Sequence, residues 1–96
     1  MPLWVRTVLV TGPEPDVEAA RREHVEHLRR LADEGKLRAA GAFAKGEGFL
    51  EIFEADDLHA AEAIARSSPL VEMGLGTWML RRWEELAAAR RGCGAT

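Results

Sequence analysis

The sequence has no asparagine, no glutamine and one cysteine, and each scarcity narrows what the chain can be. Cys93 stands alone in a Gly-Cys-Gly tail. It has no partner for an intrachain disulfide, which fits a reducing, cytoplasmic setting, and a terminal tail offers it neither a fixed base nor an electropositive pocket. No apolar run approaches membrane-spanning length. The opening stretch from Met1 to Gly12 is too short for a signal peptide and is interrupted by Arg6. Clustered positive charge is missing too: the net charge is −3. The Arg21-Arg22, Arg29-Arg30 and Arg81-Arg82 pairs are interleaved with Glu18, Glu23, Glu26, Glu84 and Glu85. These are solvated faces, which argues against a nucleic-acid partner. Arginine far outnumbers lysine, a composition of hot or GC-rich sources that says nothing about activity.

Chemical motifs are equally sparse. There is no Gly-x-Ser-x-Gly elbow and no His-Glu-x-x-His pair, and Gly46-x-Gly48 falls between strands rather than at a helix N-terminus. His24-x-x-His27 supplies two helical ligands without a third, so no metal and no organic cofactor are expected.

What is present reads as one domain. Ninety-six residues, 47% hydrophobic and 30% charged, leave room for a single core of marginal stability, for which self-association is a natural support. Leu3 to Thr11 reads as a strand ending at Gly12-Pro13-Glu14-Pro15. Asp16 is placed to cap a helix from Val17, with Val17, Ala20, Leu28 and Leu31 as its apolar stripe, Glu18/Arg22 and Glu26/Arg30 as i,i+4 pairs, and Gly35 as its end. Leu37 to Ala44 and Phe49 to Glu54 form a hairpin around Lys45-Gly46-Glu47-Gly48. Asp56 or Asp57 opens a second helix with Leu58, Ala61, Ile64 and Ala65 on one face. Ser68 caps a short turn beginning at Pro69, and Gly74 to Trp83 supplies the last strand. Glu84 to Arg91 reads as a frayed helical end, so the domain is placed at residues 1–86 and a flexible C-terminal tail at residues 87–96.

The order is β-α-β-β-α-β, an α+β ferredoxin-like arrangement with a four-stranded antiparallel sheet and both helices on one face. In the first strand Leu3, Val5 and Leu9 alternate with Trp4, Val8 and Val10; in the last, Met79 and Trp83 alternate with Trp78 and Leu80. Both faces are therefore apolar, and an identical sheet is the simplest cover for the second. A homodimer is expected.

His24 falls on the inner stripe of the first helix, four residues after Ala20 and four before Leu28. It is either a core histidine satisfied by a backbone carbonyl or an imidazole facing a cleft and moving protons. His27 lies beside that stripe, and His59 reads as a surface residue. Gly41 marks a bulge or a close approach by a ligand or another backbone.

The run Arg21-Arg-Glu-His24, then Leu28, Leu31, Gly35, Leu37 and Ala40-Gly41, followed by Ser68-Pro69-Leu70, Gly74-Leu75 and Arg82-Trp83, resembles the YciI-like (YCII-related) family from the first strand to about Leu86. The resemblance implies a dimeric α+β barrel and an active site pairing the helix histidine, matched by His24, with the aspartate of an Asp-Pro segment. It also implies chemistry of the kind known in one branch, elimination of chloride from a chlorinated hydroxyhydroquinone. Here the aspartate position is Ser68 and the proline usual after the family's glycine is Ala42. A serine neither orients an imidazole nor supports its positive charge strongly, so another acid such as Glu72 substitutes, or the mechanism differs, or there is none.

Two functions follow. One is a cofactor-independent small-molecule enzyme, a lyase or dehydrochlorinase-like eliminase or an isomerase, with His24 and Ser68 as catalytic residues and Arg21 and Gly41 contacting substrate. The other is a noncatalytic dimeric module that binds a small ligand or supports a partner protein. The enzyme reading expects His24 to line an accessible pocket with its other nitrogen held by Ser68 or a carboxylate.

Overall fold

The computed structural model describes residues 1–87, in the order β1 (Leu3–Val10), α1 (Glu14–Asp33), β2 (Leu37–Phe43), β3 (Gly48–Glu54), α2 (Leu58–Arg66), α3 (Pro69–Glu72) and β4 (Gly76–Trp83). A single 3-10 turn, Ala44–Gly46, joins β2 to β3. The four strands form one antiparallel sheet in the order β2-β3-β1-β4, so the expected ferredoxin-like α+β fold is the one found.

Local chemistry explains most element ends and two departures from expectation. α1 starts at Glu14, not after Asp16, because Pro15 has a fixed φ that suits the first helical turn, where its missing amide hydrogen costs nothing, and the carbonyl of Pro13, the extended N-cap, accepts from the Asp16 and Val17 amides. Asp16 thus lies inside the first turn and caps nothing by side chain. At the far end Gly35 takes φ +75°, while the Gly35 and Lys36 amides donate to the Ala32 and Leu31 carbonyls, closing the helix as a glycine-terminated double hydrogen bond. Asp57 caps α2 by accepting from the Ala60 amide, and Ser68 caps α3 by accepting from the Leu70 amide. Gly48 has to be glycine: a Cβ there would meet the Val8 carbonyl oxygen at 1.9 Å, where β3 runs against β1. The second departure is at the C-terminus. Glu84 to Ala87 form no helix, and the rest of the expected helical end, the tail and Cys93 lie outside the described residues.

The core lies between sheet and helices. Val8, Val17, Ala20, Phe49, Leu70 and Leu75 form one apolar cluster, and Trp4, Phe53, Ala55 and Ala61 a second. Leu58, expected on the buried face of α2, is exposed. Between the two clusters sits a band of polar side chains.

Candidate functional site

That band is built by strand periodicity. On β1, Trp4, Arg6 and Val8 point to the helices; on β3, Phe49, Glu51 and Phe53 do the same. Arg6 and Glu51 are register partners across the β1–β3 pair, so their side chains emerge together. Above them His24 descends from α1, and Ser68 enters from the cap of α3. All four are fully buried.

The four side chains form one chain of hydrogen bonds. The Arg6 Nε–H donates to Glu51 Oε1, and Arg6 Nη1 donates to the Ala65 carbonyl at 2.7 Å. Glu51 Oε2 lies 3.0 Å from His24 Nε2, and His24 Nδ1 lies 2.6 Å from Ser68 Oγ. A carboxylate accepts only, so it fixes the proton of a neutral imidazole on Nε2 and leaves Nδ1 as the acceptor of the Ser68 hydroxyl proton. Ser68 Oγ in turn accepts from the Leu70 amide at 3.2 Å. Every polar atom of His24, Glu51 and Ser68 in this chain is satisfied. Arg6 Nη2 is not: it is buried without a partner among the described residues, as is Nε2 of the neighbouring His27.

His27 packs with its ring centroid 6.1 Å from that of His24. Its pKa is lowered to about 4, by burial first, then by the Arg6 guanidinium, His24 and Arg30, against a smaller upward pull from Glu51. It is a neutral ring at pH 7.

The expected site residues have mixed locations. His24 and Ser68 are brought into direct contact. Glu72, named as a substitute acid, is exposed, and the carboxylate on the imidazole is Glu51 instead. Arg21 is half-buried and donates to the Gly46 carbonyl, tying α1 to the turn before β3. Gly41 pairs with Leu50 on the edge strand, on the far side of the sheet from His24, and nothing lies within 4 Å of where its Cβ would be. The irregularity in β2 falls between Leu37 and Ala39, not at Gly41. His59 is exposed, as its position in the sequence suggests.

His24 was expected beside an accessible pocket, and here the structure differs. The ring has no exposed surface and lines neither of the clefts that flank α1. Phe49 covers it, with ring centroids 4.5 Å apart at a tilt of 46°. The other side of Phe49 walls a cleft of about 440 Å³, shared with Arg21, Val25 and Arg29. A second cleft, about 360 Å³, separates the C-terminal half of α1 from α2 and is lined by His27, Arg30, Lys36 and Ser67 among others. Among the described residues no group of three or more histidine, cysteine or carboxylate side chains is placed to hold a metal ion, and no helix is long and apolar enough to cross a membrane.

Arg6 and Glu51 were missed by sequence reasoning. The signal was available: each occupies the helix-facing phase of its strand, between Trp4 and Val8 and between Phe49 and Phe53. A charge in phase with an apolar face is a buried charge.

A model of the YCII-related domain matches residues 5–84. A search of curated proteins finds no match. Among solved structures, 5-chloro-2-hydroxyhydroquinone dehydrochlorinase from Burkholderia phenoliruptrix AC1100, in complex with 2,5-dihydroxybenzoquinone, superposes with a TM-score of 0.61 at 15% identity, covering 83% of this chain and 93% of that one. Muconolactone isomerase superposes with a TM-score of 0.70 at 15% identity, covering 93% and 99%. At these identities the likeness is one of fold.

Proposed function

The chain belongs to the YCII-related domain family, and on that premise we propose that it is a cofactor-independent small-molecule enzyme in which His24 moves a proton during an elimination or isomerisation. The observation that carries this reading is the buried chain Arg6–Glu51–His24–Ser68. An ion pair and an imidazole inside so small a core cost several kcal/mol of desolvation (roughly), a burden that well-packed apolar side chains would avoid. Their retention makes sense where an oriented imidazole is needed. Glu51 sets the tautomer from behind, Nδ1 takes or gives the proton, and the Ser68 hydroxyl relays it outward. Loss of hydrogen chloride and migration of a double bond both shift a proton at carbon without redox change. The names of the two structural neighbours, a dehydrochlorinase and an isomerase, agree with that class.

Substrate enters in this reading through the cleft outside Phe49, whose ring swings aside to admit it. Arg21, Arg22 and Arg29 outnumber Glu23 and Glu26 around it, and although Arg29 is paired with Glu26, the surplus favours a compound bearing an anionic group on an apolar or aromatic body. The open face of the sheet pairs with that of a second copy, giving a homodimer. Gly41 reaches a ligand only through that partner.

A second reading is supported by one observation, the complete closure of His24: a dimeric ligand-binding or accessory module with a structural polar core. A turnover screen on small aromatic and carbonyl acids separates the two. The enzyme reading expects turnover that His24→Ala lowers about 10²-fold or more and that Ser68→Asp keeps. Absence of turnover in the wild type, in Ser68→Asp and in a Phe49→Ala variant with the imidazole uncovered leaves the binding module.

A further inference from the structure

The cleft between α1 and α2 has no part in the reading above, yet its inner wall is unusual. His27 closes it, 6% exposed, with a buried ring nitrogen that has no hydrogen-bond partner among the described residues. Near that ring lies Arg6, whose Nη1 ends on the Ala65 carbonyl, on the same stretch of α2 whose Ala63 and Ile64, with Ser67 just past its end, form the opposite wall. Arg6 Nη2 is the other unsatisfied buried nitrogen. Unpaired buried polar atoms are rare and costly, on the order of 1–3 kcal/mol each, and one on a side chain that walls a cleft points to a missing polar guest.

The charges around the cleft define that guest. Sequence spacing pairs Arg30 with Glu26, but Glu26 bonds Arg29 at 2.8 Å instead, and Arg30 has no carboxylate partner among the described residues. Lys36 reaches the rim with Glu34, 3.2 Å from its ammonium. From the sheet, Arg6 faces the ring with Glu51 as counter-charge; from α1, His24 and Arg30 face it; α2 presents no ionised group to the cleft. The surplus is positive, and after burial, the main cause, Arg6, His24 and Arg30 add to the lowering of the His27 pKa.

We propose that this cleft is an oxyanion-binding site, in which the carboxylate or phosphate group of a small ligand is held by His27 and Arg30, with Lys36 at the mouth and Arg6 near the ring. Glu34 yields Lys36 to the ligand. The site is independent of turnover at His24.

The test is a titration of the full chain with inorganic phosphate and separately with acetate, reading the His27 ring by NMR. Either anion should give a saturable shift of the His27 resonances, and the tighter of the two names the preferred group. In saturating anion the His27 midpoint should rise from about 4 by roughly a unit, since a bound negative charge favours the protonated ring. Arg30→Ala and Lys36→Ala are surface changes that leave the fold intact, and together they should weaken binding tenfold or more. A shift that never saturates, or one that survives the double variant unchanged, means an adventitious ion only and overturns the proposal.

Discussion

The two faces of the sheet distribute their chemistry in an unexpected way. The helix-covered face holds Arg6 and Glu51, both without solvent exposure, beside Trp4, Val8, Phe49 and Phe53. The opposite face carries no helix, yet it displays Val5, Leu9, Leu50, Ile52, Met79 and Trp83, with Leu9 at 49% and Met79 at 51% exposure. Val5 lies opposite Ile52 and Thr7 lies between Leu50 and Met79, so the apolar residues cluster, with Arg81 beside Val5 as an interruption. The Arg6–Glu51 charges are shielded, while the other face is mostly hydrocarbon, with Arg81 beside Val5 and Glu54 beside Leu3. The covered face is thus specialised for something other than maximum stability, and the bare face is unfinished without a cover of similar character.

The comparison breaks first at Glu51. Glu51→Leu leaves the Arg6 guanidinium buried without its counter-ion and should cost about 3–5 kcal/mol in urea unfolding. Arg6→Met combined with Glu51→Leu should recover most of that loss. If the single variant is as stable as the wild type, the ion pair is not sealed from water. A somewhat smaller effect comes from pH. His27 has a folded pKa of about 4 against an ordinary 6.5, so between those values the unfolded chain binds a proton that the folded chain refuses. Stability is therefore at its full value above about pH 6.5 and falls as pH drops toward about 4, by up to about 3 kcal/mol. Chemical denaturation at pH 7.5 and pH 4.5, with His27→Gln as the flat control, measures it. The smallest effect on folding belongs to the bare face. Ile52→Asp should change the stability of the isolated chain by less than about 1 kcal/mol, while sedimentation shows self-association lost. A variant that associates like the wild type would separate the patch from any dimer.

Much of this architecture is legible in the sequence, because it rests on local rules. The stripe Val17, Ala20, Leu28, Leu31 places His24 inward, Ser68-Pro69 is a cap followed by a helix start, and the two-faced strands are visible as alternation. The start of α1 is not legible in the same way, because Gly12-Pro13-Glu14-Pro15 reads equally as a strand stop and as a helix start. The site was half legible. His24 and Ser68 lie 44 residues apart, and their contact depends on how α3 docks under α1. The carboxylate partner was sought near Ser68 in the chain, at Glu72, although the register of β1 with β3 supplies it from Glu51. Cross-strand neighbours are set by pairing, which no local rule encodes. The closure of the ring by Phe49 depends on packing alone.

The Arg6–Glu51 pairing also bears on how the chain finds its fold. A sheet with hydrocarbon on both sides has little reason to prefer one strand alignment, since a slip of one residue exchanges two faces of like character. With a charged residue on each of the two central strands the choice is no longer free. Sliding β3 by one position against β1 would turn Glu51 to the bare side and strand Arg6 among Trp4 and Val8 with no carboxylate to meet it. The same two side chains therefore act as a key for the lock of strand alignment, and their replacement by leucine and methionine would be felt in the uniqueness of the folded state as well as in its depth.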